Sequence, residues 1–275
     1  MRVKPPIGCD TRLCMSLAAR PSNFGSRFHN RLYERLGLDY VYKAFTTTDL
    51  AGAVTGIRAL GVRGCAVSMP FKEAVIPLLD GLAGSAAAID SVNTIVNDDG
   101  RLTGYNTDYS AVRDLLDRAG VDADMPFSLR GSGGMAKAVV AALRDRGHRR
   151  GTIVARNEEK GRALADAYGF DWQAESGDGA AVIVNATPIG MSGGDDTALA
   201  FTPQVVTRCS VAVEVVALPA ETPFLRAARA AGKVTIAGAD IAVLQALEQF
   251  VLYTGVRPDD DDVAHAAAFA RGEID

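Results

Sequence analysis

A strand that turns through glycines into a helix is the feature that most constrains this chain. It lies at Gly131-Ser132-Gly133-Gly134-Met135-Ala136, between the apolar run Pro126-Phe127-Ser128-Leu129-Arg130 and a helical pattern from Lys137 to about Arg146. Glycines let the backbone turn tightly and approach a ligand, while the first helical N–H groups and the positive end of the helix dipole face negative charge. Such a loop suits a pyrophosphate. The third glycine of the usual G-x-G-x-x-G pattern is replaced by Ala136, still small enough for close helix packing. Gly151-Thr152-Ile153-Val154-Ala155 reads as the next strand, and its end is where a βαβ unit meets the adenosine ribose. An NAD site usually carries Asp or Glu there, whereas this chain has Ala155-Arg156-Asn157. A guanidinium is planar, permanently charged and suited to a 2′-phosphate, so the local chemistry favours NADP over NAD. The competing reading makes Arg156 a solvated residue at a helix start, with Glu158 or Glu159 as the cap.

Apolar runs alternate with helical periodicity along the chain. Extended segments at Arg12–Leu17, Tyr40–Phe45 and Gly64–Ser68 are separated by helical ones at Phe24–Leu36 and Asp49–Leu60, the rhythm of a parallel α/β sheet. A second series repeats it, with extended segments at 126–130, 151–155, 180–185, 211–216 and 233–236. Two α/β lobes are the expected result: a first domain over residues 1–107, a Rossmann-type nucleotide domain over 108–237, and closing helices over 238–275. The helix Asp108–Arg118 and the polar link Ala119–Asp124 form the expected hinge. Amphipathic stretches at Ile241–Tyr253 and Asp262–Ala270 are expected to pack back on the first lobe and close a cleft. The acidic run Asp259 to Asp262 suits a helix N-terminus better than calcium.

A net charge of −4 with scattered Lys and Arg argues against a nucleic-acid surface. No apolar run approaches the roughly 20 residues of a membrane span, and the N-terminus leads into no signal-peptide apolar region, so a cytoplasmic protein is expected. Cys9, Cys14, Cys65 and Cys209 form no C-x-x-C pair and read as free thiols, mostly buried. His29, His148 and His265 are too dispersed for a metal cluster, and no metal is expected. At 275 residues both lobes could be self-sufficient, as a monomer or a homodimer.

A nicotinamide cofactor transfers hydride, and a nearby ammonium can stabilise the oxygen that gains charge and then donate a proton to it. Lys72 is the candidate, because it follows Ala66-Val67-Ser68-Met69-Pro70-Phe71 at a strand's carboxyl end, where α/β folds place ligands. Taken alone, a lysine in a surface loop looks the same. Ser91-Val92-Asn93-Thr94 and Gly104-Tyr105-Asn106-Thr107-Asp108 supply uncharged amides and hydroxyls for a polyhydroxylated ligand, and Asp108 adds a carboxylate. Asp108 by itself reads as a helix cap.

In their order and spacing these segments resemble the shikimate dehydrogenase family. The resemblance is carried by Phe28-His29-Asn30, Val67-Ser68-Met69-Pro70-Phe71-Lys72, Ser91-Val92-Asn93-Thr94, Asn106-Thr107-Asp108, the glycine loop, Asn185-Ala186-Thr187-Pro188-Ile189-Gly190-Met191, Glu221-Thr222-Pro223 and Gln245. It implies NADPH-dependent reduction of 3-dehydroshikimate to shikimate, with Lys72 and Asp108 as the catalytic pair. It further implies a substrate pocket lined by Ser68, Asn93, Asn106 and Gln245. Beside the glycine loop and residues 155–157, it places Thr187, Pro188, Ile189, Met191, Val216 and Gly238 against the cofactor.

Two departures touch substrate recognition. Family members carry Ser-x-Ser-Pro before the His-Asn pair, where this chain has Arg20-Pro21-Ser22-Asn23-Phe24-Gly25-Ser26. Ser22 and Asn23 can replace the two hydroxyls, and Arg20 is either a carboxylate contact or a surface residue. Ala217 stands where a tyrosine is usual, which widens the pocket and removes a hydroxyl. The expectation is therefore a shikimate-dehydrogenase-like paralogue. Its alternatives are a quinate or aminoshikimate dehydrogenase, or a catalytically weak NADP-binding sensor or scaffold.

Overall fold

The computed structural model describes residues 3–175, 177, 179–194 and 196–275. The chain divides into two compact units, Met1–Thr107 with Val243–Asp275, and Asp108–Ala242. The first unit holds β1 (Arg12–Leu17), α1 (Phe24–Leu36), β2 (Tyr40–Phe45), α2 (Leu50–Ala59), β3 (Gly64–Val67), α3 (Phe71–Ala74), β4 (Gly81–Leu82), α4 (Gly84–Ala87), β5 (Thr94–Asp98) and β6 (Arg101–Tyr105). The chain then runs through α5 (Thr107–Arg118), β7 (Phe127–Arg130), α6 (Gly134–Asp145), β8 (Gly151–Val154), α7 (Glu158–Tyr168), β9 (Asp171–Gln173), β10 (Val182–Asn185), α8 (Pro203–Arg208), β11 (Val211–Glu214), α9 (Pro223–Ala230) and β12 (Val234–Ile236). Helix α10 (Gly238–Thr254) leads back to the first unit, and α11 (Asp260–Arg271) ends it. Among the described residues no helix is long and apolar enough to cross a membrane.

The first sheet has the order β2-β1-β3-β5-β6-β4. Strands β1, β2 and β3 are parallel, with Leu17 beside both Phe45 and Val67, as the strand–helix rhythm predicts. The sheet as a whole is mixed and not parallel, because β5 runs antiparallel to β3 and β6. The cause is local. Asp98 pairs with Arg101 across Asp99 and Gly100, whose φ of 51° and 91° give the positive-φ pair of a two-residue hairpin turn.

Helix α1 buries Phe28, His29, Leu32 and Tyr33 at helical spacing and stops at Gly37, which takes the left-handed conformation (φ 64°, ψ 34°). Each such large apolar side chain contributes about 1.5–3 kcal/mol on burial. Helix α11 lies on α1 through an Arg35–Asp262 ion pair at 2.5 Å and the Arg31 guanidinium 4.3 Å from the Phe269 ring centroid. Its start is capped by Asp259, which accepts from the Asp262 N–H at 2.8 Å, so the acidic run caps a helix. Helix α10 approaches β3 closely enough that a Cβ on Gly64 would lie 2.1 Å from the Tyr253 ring. The Arg63 guanidinium donates to the Tyr253 and Leu252 carbonyls at 2.9 and 3.2 Å, satisfying the end of that helix.

The second sheet is all-parallel, in the order β12-β11-β10-β7-β8-β9. Strands Val182–Asn185 and Val211–Glu214 are buried throughout, as in a sheet covered on both faces. After β7 the chain adds β8 and β9 on one side, then crosses to add β10, β11 and β12 on the other. The switch point between β7 and β10 is where open α/β sheets bind ligands.

Candidate active site

In the first unit, the reversed direction of β5 decides what meets at the sheet's carboxyl edge. Ser68 follows β3, Asn93 precedes β5 and Asn106 follows β6. Antiparallel pairing of Thr94 with Ala66 and Tyr105 brings all three to one edge. Ser68 is exposed, whereas Asn93 and Asn106 are 3% and 1% exposed. Lys72 sits half-buried in the one-turn helix α3, and its carbonyl accepts from the Val92 N–H at 2.9 Å, which fixes the lysine beside Asn93 in the chain.

The Asn93 side-chain oxygen accepts the Thr107 N–H at 2.8 Å, the Thr107 hydroxyl at 3.2 Å and the Thr94 hydroxyl at 2.8 Å. With its oxygen so engaged, the amide presents its NH₂ on the opposite side as a donor. Asn106 donates to the Ser91 carbonyl at 2.9 Å, and the Thr107 hydroxyl lies 3.5 Å from Gln245 Oε1. The structure therefore gathers Asn93, Asn106 and Gln245 around Thr107. The loop after β1 is tied to this edge by the Ala19 N–H on the Met69 carbonyl at 3.2 Å, and its Arg20, Ser22 and Asn23 are exposed. Asn23 stands at the N-cap position of α1 but makes no side-chain capping bond.

Asp108 corrects an expectation. Helix α5 begins at Thr107, so Asp108 lies within the first turn and not at the cap. There it complements the helix dipole, directly after the residue bound to Asn93.

In the second unit, the glycine loop stands at the switch point. Gly131 has φ 131°, and a Cβ there would lie 2.5 Å from the Ala186 carbonyl oxygen, so a side chain is excluded twice over. Gly133 is the N-cap residue of α6 with no side-chain capping bond, and Cβ atoms on Gly133 and Gly134 would meet nothing within 4 Å. The helix thus starts at a cap residue that offers its N–H groups no side-chain acceptor, with open space beside the two glycines, the kind of helix start that suits an anion. Ser132 and Met135 are half-buried beside it, and Ala136 is fully buried on the packed side of α6.

At the end of β8, Ala155 is buried and Arg156 exposed. Asn157, and neither glutamate, caps α7, accepting the Lys160 N–H at 2.9 Å. Its side-chain oxygen serves the helix, and Arg156 stands exposed directly after β8.

The segment after β10 folds around Asn185, which accepts from the Thr187 N–H at 3.1 Å and the Thr187 hydroxyl at 2.6 Å and donates to the Ile189 carbonyl at 3.1 Å. Pro188 and Met191 are exposed beyond it. Gly238 packs on Val216, whose carbonyl oxygen a Cβ there would meet at 2.2 Å.

One residue that the sequence reading overlooks joins these segments. Glu214, fully buried at the end of β11, accepts from Asn185 Nδ2 at 2.9 Å, the Val216 N–H at 3.0 Å and the Thr222 hydroxyl at 2.9 Å. Burial pushes its carboxyl above the usual range, and these donors pull it back. The signal was an acid ending an otherwise apolar run, Val211-Ala212-Val213-Glu214. Among the described residues, no group of three or more His, Cys, Asp or Glu is placed to hold a metal ion.

Comparison with known proteins fits this geometry. Residues 24–95 match the model of the shikimate dehydrogenase substrate binding domain. A shikimate dehydrogenase-like protein of Haemophilus influenzae is 54% identical over 267 residues, covering 96% of this chain and 98% of that one. The chain belongs to the shikimate dehydrogenase family. A shikimate 5-dehydrogenase of Thermus thermophilus, solved with NADP(H) and shikimate, is similar at a TM-score of 0.84 and 30% identity, covering 94% of this chain and 99% of that one. A quinate dehydrogenase of Corynebacterium glutamicum, solved with NAD, is similar at a TM-score of 0.84 and 27% identity, covering 95% and 99%. The residues matched to the shikimate dehydrogenase substrate domain contain Ser68, Lys72 and Asn93, while Asp108 and the glycine loop lie beyond them.

Proposed function

We propose that this chain is an NADP-dependent dehydrogenase interconverting 3-dehydroshikimate and shikimate, or a closely related cyclic polyol carboxylate. The observation that carries the reading is the fixed amide of Asn93: its oxygen is taken by Thr107 and Thr94, which leaves its NH₂ as a donor suited to a ring hydroxyl, next in the chain to Val92, whose N–H bonds the Lys72 carbonyl. The exposed Arg156 and the absence of an acid at the end of β8 support NADP over NAD. The cofactor supplies or accepts hydride when bound.

The remaining chemistry belongs to the chain. Lys72 protonates the substrate oxygen in reduction and takes the proton back in oxidation, with Asp108 as its partner carboxylate. Ser68, Asn93, Asn106 and Gln245 hold ring hydroxyls, and Arg20, Ser22 and Asn23 take the carboxylate. The open loop before α1, with Ala217 in place of a tyrosine, favours a second reading in which quinate or an aminated analogue is the better substrate. Three buried thiols, Cys14, Cys65 and Cys209, support a reducing cytoplasmic setting.

The test is to incubate the purified protein with NADP and, in turn, shikimate, quinate and aminoshikimate, following absorbance of the reduced nicotinamide. Turnover on one of them is expected. Tight NADP binding with no turnover on any would assign the chain to a sensor or scaffold role instead.

A further inference from the structure

Helix α10 carries one buried polar side chain that the proposed reaction does not use. Gln249 is 4% exposed, lies against the buried His29 ring, and follows Gln245 by one helical turn. A buried amide is costly unless its hydrogen bonds are made. Gln249 Nε2 reaches Thr94 Oγ1 at 3.0 Å and the Asn93 carbonyl at 3.3 Å.

The polarity of these bonds is fixed by chemistry. An amide nitrogen only donates, so the Thr94 hydroxyl accepts from Gln249. Its single proton then goes to Asn93 Oδ1 at 2.8 Å, the nearer of its two remaining neighbours, the Thr107 hydroxyl standing at 3.4 Å. That oxygen is held on its far side by the Thr107 N–H. A flipped Asn93 would set its NH₂ against both donors. We propose that Gln249 is a positioning residue: by directing the Thr94 hydroxyl at Asn93 Oδ1 it adds a second donor to the Thr107 N–H and so stiffens the one orientation in which the Asn93 NH₂ is left for the substrate.

The inference rests on Asn93 touching the substrate, so it is tested by two independent readouts. Gln249→Met removes the donor at nearly constant volume, and Thr94→Val removes the relay while keeping its shape. Loss of one relayed hydrogen bond is expected to raise the substrate KM about 3- to 10-fold in either variant, with kcat and NADP affinity little changed. The double variant is expected to match Thr94→Val alone, because both changes cut one chain.

The second readout needs no substrate. In ¹⁵N spectra of the whole protein, the Asn93 side-chain amide is expected in one environment in the wild type and in two, or exchange-broadened, in Gln249→Met. Additive KM effects, or a lowered melting temperature with KM and the amide signals unchanged, would reduce Gln249 to a packing role and overturn the proposal. Should the wild type turn over no polyol carboxylate, the reading of function fails and the amide spectra still decide the role of Gln249.

Discussion

At the scale of single residues, function rests on polar groups that the fold has immobilised. Asn93 and Glu214 show two versions: one amide whose oxygen is held by three donors, and one carboxylate held by three donors so that two loops stay together. His29 shows the reverse case, a titratable ring kept neutral. It is fully buried and stacked on Tyr42 at 4.5 Å between centroids, and burial lowers it from 6.5 to about 3, with the Gln249 amide opposing only in part. Its native form therefore refuses a proton that the unfolded chain takes up below its ordinary value. Stability is present above pH 6.5 and falls as the pH drops toward 3, by about 1.4 kcal/mol per pH unit. Urea denaturation should show His29 contributing a loss of about 2 kcal/mol between pH 6.5 and 5, and His29→Phe should flatten that part of the profile. An unchanged slope in the variant would place the acid sensitivity elsewhere.

At the scale of elements, the site depends on how strands end. Gly131 ends β7 in a conformation that only glycine holds easily, against the carbonyl of Ala186. Gly131→Ala should cost about 1–3 kcal/mol in stability. It should also weaken NADP binding at least about tenfold, because the loop must move to clear the clash. Titration of the cofactor against the variant checks this, and unaltered affinity would remove the loop from the phosphate site. Most elements were legible: the period of apolar residues marked β1 to β3, α1, α2 and the second series apart from β9, a three-residue edge strand whose Asp171 and Gln173 are exposed and give no apolar period. The hairpin of β5 and β6 was not, although Asp99-Gly100 is a hairpin signal, because Ser91 to Asn97 is buried almost without alternation and masks the strand period. Asn93 and Asn106 were still found, since amides beside hydroxyls stand out. The roles of Glu214 and Gln249 were not, because an acid ending an apolar run, or a glutamine beside Glu248 on a helix, gives no sign of what it will bond.

At the scale of the whole molecule, the first unit is discontinuous in sequence. Residues up to Thr107 build its sheet, and α10 and α11 complete its core. Arg63 ties the end of α10 to the sheet, so Arg63→Ala should lower stability by about 2–3 kcal/mol, the worth of a charged hydrogen-bonding group on helix-end carbonyls. Thermal melts check this, and a change under about 0.5 kcal/mol would mean that packing alone docks the helix. Sequence periodicity gave two lobes readily, but the return of the last helices to the first unit was inferred from amphipathic stretches without a partner and is explained by Arg63, Gly64 and Tyr253. Catalysis by this chain turns on Lys72 moving the proton for a hydride transfer. The direct measurement is Lys72→Ala, comparing steady-state turnover on the accepted polyol carboxylate with the equilibrium affinity for NADP. Turnover is expected to fall at least about 100-fold with cofactor affinity unchanged. Full turnover in that variant would contradict it.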